Sequence, residues 1–240
     1  MYRIYIIVLL AILFSSCNKT EDINNNILKL YGDALEDIGY SIARAEDGYV
    51  ITGQLTEVAR GEKNYIDSRN SEKKMGLIKT DNIGNVVWQK SFGDKLPAAG
   101  TKAVVLDDGS VVCAGYIIDT ITQLKDIFIV KTDNQGEVTS QKIYKTTGDI
   151  ASQYSADIIK TTEGFLVLGV TDAERQPITD STGNEAGKKD ILLMRVDNSL
   201  DIISTWATGF PGNDEGVAIK EDIGGGYIVA ATTDRSDKPA

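Results

Sequence analysis

Four apolar runs of the same make recur along this chain: GYVITG at 48–53, SVVCAG at 110–115, GFLVLG at 164–169 and GYIVAA at 226–231. The small residues that close them, Gly53, Gly115, Gly169 and Ala231, stand 62, 54 and 62 residues apart. A chain that repeats at such spacing builds one unit several times, and each unit must bury its apolar face against a neighbour. Every run is entered through turn residues: Glu46-Asp47-Gly48, Asp107-Asp108-Gly109, Thr162-Glu163-Gly164 and Ile223-Gly224-Gly225. Asp-Gly and Gly-rich pairs supply the positive φ that tight hairpins need.

A second matched set follows in each repeat, reading GLIKTDNIGNVVWQKSFGD at 76–94, IFIVKTDNQGEVTSQKIY at 127–144 and ILLMRVDNSLDIISTW at 191–206. Each contains an apolar strand, an Asp-Asn turn (Asp81-Asn82, Asp133-Asn134, Asp197-Asn198) and another strand, with Gly84 and Gly136 as the left-handed residue in two copies. A further strand precedes each entry turn, at about 40–45, 101–106, 154–160 and 215–220. One repeat therefore holds four short strands, A to D, and helical periodicity is not evident beyond residue 26. The expected fold class is all-β: a β-propeller of four-stranded antiparallel blades, with about three and a half blades over 27–240. ILKLYGD at 27–33 reads as a lone D strand, and the last repeat stops after its B strand. Two arrangements fit, a four-bladed ring with an incomplete last blade or a truncated larger propeller, and the absent C strand favours the second. The composite pattern, an Asp-Gly turn, a Tyr-Ile-Val-like strand, then Lys-Thr-Asp-Asn-x-Gly-Asn-Val-x-Trp, resembles the β-propeller repeats of secreted and cell-surface bacterial proteins. That resemblance implies architecture and is nearly silent on activity.

The N-terminus carries a different message. Arg3 precedes the apolar run IYIIVLLAILF at 4–14, which as a helix covers only about 16 Å, too short for a bilayer core of roughly 30 Å. A positive start, an apolar centre and small residues at the break mark a secretory signal, residues 1–16. LFSSC at 13–17 resembles the lipobox of bacterial lipoproteins, with Phe14 where an aliphatic residue is usual. The resemblance implies cleavage before Cys17 and lipid attachment there. Residues 17–26 then form a polar tether, and Lys19 with Glu21 and Asp22 resembles the acidic export tags of surface lipoproteins. The expected address is the bacterial outer membrane or cell surface, lipid-anchored, with a periplasmic-facing orientation also open.

Composition narrows the chemistry. The 25 Lys+Arg against 35 Asp+Glu give a formal charge of −10, which argues against a nucleic-acid partner. The chain has no histidine, which removes Ser-His-Asp and Cys-His catalysis and His-containing zinc sites. Cys113, in VVCAGY, is expected to be a small buried hydrophobe. The Asp-Asn turns lack the spacing and terminal Glu of an EF-hand, so no metal site is assigned. DNIGNVVW at 81–88 is similar to the tryptophan-docking motif of quinoprotein propellers, but only one repeat has it, and Trp88 is read as packing between blades. No cofactor is expected.

In a blade ordered A to D, the long segments 56–74, 117–125 and 172–189 fall on one face with the D–A connections, and insertions gathered on one side of a repeat protein mark its interaction side. The D–A connections carry Asp33, Asp94, Asp149 and, shifted by one, Asp214, a candidate acidic mouth whose members also serve as turn formers. No catalytic residue is assigned. The leading functional expectation is a membrane-anchored binding module for a protein or glycan. The alternatives are a carbohydrate-active hydrolase or lyase using carboxylates in the mouth, and a structural scaffold of an outer-membrane assembly.

Overall fold

A computed structural model describes residues 29–32, 35–58, 71–145, 151–172, 189–210 and 212–234. These residues form fourteen strands and no helix. The first sheet holds β1 (Ile38–Ala45), β2 (Gly48–Val58), β3 (Ser71–Asp81) and β4 (Val86–Phe92) in that order. The second holds β5 (Ala98–Val105), β6 (Val111–Ile118), β7 (Lys125–Thr132) and β8 (Val138–Tyr144). The third holds β9 (Gln153–Thr161), β10 (Gly164–Thr171), β11 (Asp190–Asp197) and β12 (Ile202–Thr208). β13 (Asp214–Glu221) and β14 (Tyr227–Thr233) make a two-stranded fourth sheet. All named pairs are antiparallel, so the fold is all-β, with one antiparallel sheet per repeat, four-stranded in the first three. Among the described residues no sheet closes on itself.

The recurring glycine has a local cause. In each sheet the A strand shifts register at one place, between Gly39 and Ser41, Gly100 and Lys102, opposite Leu168 and Gly169, and between Gly216 and Ala218. The B-strand residue facing that bulge is Gly53, Gly115, Gly169 or Ala231. A Cβ on Gly53 or Gly115 would stand 1.9 Å from the carbonyl oxygen of Ile38 or Ala99. The bulge brings the two backbones together and the missing side chain admits it.

The Asp-Asn turns are held alike in all three copies. The Asp81 carboxylate accepts from the amides of Ile83 and Asn85, Asp133 from Gln135 and Glu137, and Asp197 from Ser199 and Asp201, at 2.8–3.0 Å. Leu200 takes the left-handed place that Gly84 and Gly136 fill elsewhere, with φ of 68°. Its side chain is fully buried in the core shared by the second and third sheets, which offsets the cost of that conformation.

Sheets are joined in chain order. β5 packs on β1, β2 and β3; β9 on β5, β6 and β7; β13 on β9, β10 and β11. The middle strands of the second and third sheets, β6 and β10, are buried on both faces. That is why their sequences are unbroken apolar runs instead of alternating ones. Cys113 lies in the first of these cores, 3.0 Å from the Thr52 hydroxyl, and burial pushes its thiol up to about 12. Trp88 behaves as the sequence reading has it: its indole N–H donates to the Asn134 carbonyl at 3.0 Å and its ring covers Gly136 in the next sheet's turn. Lys90 pairs with Glu137 and Lys142 with Asp201 across equivalent junctions. The Tyr144 hydroxyl donates to the Leu200 carbonyl at 2.7 Å, and Tyr31 makes the same bond to Gly84 at 2.9 Å. Residues 29–32 are not in a strand, yet Tyr31 occupies the place that ends a D strand elsewhere.

One buried carboxylate ties the third and fourth sheets. Asp157 accepts from the amide of Ile158 at 2.9 Å and from that of Ile219, 62 residues on, at 3.0 Å. Asp157→Ala leaves the Ile219 amide buried without a partner, and chemical denaturation is expected to show a loss of about 2 kcal/mol, the cost of one orphaned buried donor. Asp133→Ala, at an exposed turn, is expected to cost about half as much in the same measurement.

Candidate ligand-binding cleft

The ends of the sheets that carry the β2–β3, β6–β7 and β10–β11 connections also carry the connections from one sheet to the next. Side chains of several sheets converge there. Lys125 opens β7, Tyr154 lies at the start of β9, Val170 lies near the end of β10 with Asp172 just beyond it, and Lys189 precedes β11. With Ser152 these residues line a cavity of about 190 Å³.

Lys125 is the centre of the arrangement. Its Nζ sits 4.3 Å from the ring centroid of Tyr116 and 5.1 Å from that of Tyr154, so two aromatic faces hold one ammonium. Its backbone amide donates to the Ser152 hydroxyl at 3.1 Å, which locks the strand start to the neighbouring sheet. Burial lowers the Lys125 pKa, and the Lys189 cation adds to that, with Glu215 opposing. Lys189 donates to the Glu215 carboxylate at 2.7 Å, and that bond raises its pKa. Burial raises Tyr154 and Tyr116, with Glu215 adding to the first and Tyr40 to the second. The Asp172 carboxylate accepts the Ser152 amide. The cleft thus offers one half-buried cation held by π faces, a second cation in an ion pair, phenol hydroxyls and two carboxylates engaged by protein donors.

The residues singled out from sequence distribute differently. Cys17, Asp33 and Asp149 lie outside the described residues, as do most of the long segments 56–74 and 172–189. Asp94 is exposed, in a left-handed turn with φ of 49° after β4. Asp214 is buried as the first residue of β13, where it accepts the Phe210 amide at 2.6 Å and lies with Asp190 against Gly209. The pairings Met75 with Phe92 and Ile191 with Thr208 make Phe210, not Asp214, the counterpart of Asp94. The two described aspartates therefore stand at different levels of their repeats, one in water and one inside. The Lys125 cluster escaped sequence reading because its members hold different repeat positions: Tyr154 stands where the first two sheets have Ile38 and Ala99, and Tyr116 where the first and third sheets have Gln54 and Val170. The signal that remains is the short spacing of Tyr116 and Lys125 across one hairpin.

No protein-family model matches this chain, and no curated protein sequence matches it significantly.

The electrostatic coupling is measurable. Lys189→Met removes the neighbouring cation and leaves Glu215 free to favour the Lys125 ammonium, so the Lys125 pKa rises. Because burial is the larger cause, it stays below the ordinary lysine value of 10.5. Side-chain NMR titration of the lysines reads this directly; a fall, or no change, contradicts the coupling.

Proposed function

We propose that this chain is a lipid-anchored, extracytoplasmic binding module built from β-propeller repeats, and that it holds a glycan on the face bearing the long connections. The observation that carries this reading is the cavity lined by Lys125 and Tyr154 on that face, with the Tyr116 ring against the same ammonium. Tyrosine rings present apolar area with few rotatable bonds, and their hydroxyls together with lysine donors suit hydroxyl-rich ligands. Both carboxylates of the cleft are already taken by protein donors, Asp172 by the Ser152 amide and Glu215 by Lys189, which favours holding a ligand over proton transfer to one.

The propeller reading is supported by repetition of the junctions. A D-strand lysine reaches the acidic residue of the next sheet's turn at two junctions, and Tyr144 and Tyr31 each donate to the carbonyl at the same place in a turn. Equal steps between equal sheets generate rotation about a common axis. The anchor at Cys17 rests on the signal pattern of residues 1–17, and several acyl chains on one cysteine, at about 0.8 kcal/mol per buried CH₂, hold a water-facing domain at a bilayer.

Two experiments test these parts separately. In calorimetric titration of the full chain against a panel of neutral and acidic oligosaccharides, at least one class is expected to bind. Tyr154→Ala and Lys125→Ala should each weaken that binding about tenfold, the loss expected for a central aromatic or charged contact, while Asp94→Ala leaves it unchanged. Binding that survives both cleft substitutions sinks the site; product release from any oligosaccharide would instead favour the hydrolase reading. Fractionation of cells expressing Cys17→Ala is expected to move the protein out of the membrane fraction, and its retention there contradicts the anchor.

A further inference from the structure

The cleft holds one cation that no described residue neutralises. Lys189 sits 2.7 Å from the Glu215 carboxylate, which the Tyr154 hydroxyl bonds as well, and the Asp172 carboxylate accepts the Ser152 amide. The Lys125 ammonium has the ring faces of Tyr116 and Tyr154, at 4.3 and 5.1 Å. Among the described residues no carboxylate lies within 4 Å of it and no oxygen accepts its protons. Asp172 acts on Lys189 and Tyr154, whereas the charges acting on Lys125 are Lys189, which opposes its ammonium form, and Glu215, which favours it and is engaged by Lys189.

Elsewhere the chain treats its buried lysines differently. Lys74 and Lys79, 5% and 6% exposed, each meet a carboxylate, Glu72 at 2.8 Å for the first and Asp47 for the second. An ammonium drawn out of water costs free energy unless a counter-charge replaces the water, and a ring face attracts it without cancelling its charge. Ser152 supplies a second donor to the same cavity. Its hydroxyl accepts from the Lys125 backbone amide at 3.1 Å, and among the described residues nothing takes the hydroxyl's own proton. An ammonium and a hydroxyl lining one cavity suit an oxygen anion, whose charge-assisted hydrogen bonds are about twice as strong as those of a neutral oxygen.

We propose, building on the glycan reading of this cleft, that the glycan held here is acidic and that Lys125, with the Ser152 hydroxyl, receives its anionic group, a uronate carboxylate or a sulfate ester. A neutral sugar leaves the Lys125 charge unmatched, and an acidic one brings the counter-charge that the described residues do not provide. The formal charge of −10 is largely screened beyond about 8 Å at physiological salt, while the ammonium acts at contact.

Calorimetric titration of the full chain at physiological salt tests this with matched pairs: uronate oligomers against their methyl esters, and sulfated galactose oligomers against the same oligomers without sulfate. In at least one pair the charged member is expected to bind about tenfold tighter than its neutral partner, the worth of one charge-assisted bond, and the pair that shows this tells carboxylate from sulfate. Lys125→Met should reduce that preference to less than about twofold, and Lys125→Arg, which keeps the charge, should retain most of it. Neutral members that bind as tightly as charged ones overturn the proposal and leave the glycan reading in place, and so does a preference that survives Lys125→Met. Loss of the preference in Lys125→Arg as well as in Lys125→Met would mark a packing role for the side chain and overturns the proposal too. If no member of either kind binds, the glycan reading falls with it.

Discussion

The stacking in this structure depends on its central B strands, β6 and β10, being apolar on both faces. A lone antiparallel sheet with one wet side would need alternation, and β6 and β10 have none. Such a strand is stable only between two other sheets, so a repeat cannot fold alone and the smallest stable object is a stack. The outer strands show the complement. β4, β8 and β12 alternate or are largely exposed, because their far faces look into water. The gradient from buried B to exposed D within each sheet sets where neighbours can touch, and the main contacts between sheets accordingly run through the A, B and C strands.

The bulge beside the recurring glycine is the second constraint, and it serves the first. An extra A-strand residue increases local twist, and doing so at one level of every sheet gives successive sheets the same curvature. Stacked sheets of equal curvature can keep side chains interdigitated over their whole contact.

Much of this was readable in the residues. The four apolar runs became the B strands, the Asp-Asn pairs became turns with the same amide bonds in each copy, and Trp88 packs between sheets. These features are local or repeat at fixed spacing, so one sequence displays them. The candidate site was less legible for the opposite reason. Tyr116, Lys125, Tyr154 and Glu215 come from four strands of three repeats and share no repeat position. Only the packing of unlike positions at adjoining junctions brings them together. The aspartate alignment failed at its fourth member because the sequence Gly-Phe-Pro-Gly-Asn-Asp offers two glycines, and the strand pairing selects Gly209 as the counterpart of Gly93 where sequence spacing selects Gly212.

The cleft also bears on why an acidic chain would place lysines at its centre. At physiological salt, charges separated by more than about 8 Å are largely screened, so the formal charge of −10 sets how the protein meets other macromolecules more than what fits in a cavity. Inside the cleft the governing terms are short-ranged. Lys125 gives up hydration as it enters the two tyrosine faces, which lowers its pKa, and Lys189 escapes the same fate through its bond to Glu215. The pair therefore differs in availability: Lys189 is committed to a protein carboxylate, while Lys125 is held by faces that impose no fixed direction on its hydrogen bonds. An oxygen entering the cleft meets a cation whose donors need not be taken from another acceptor.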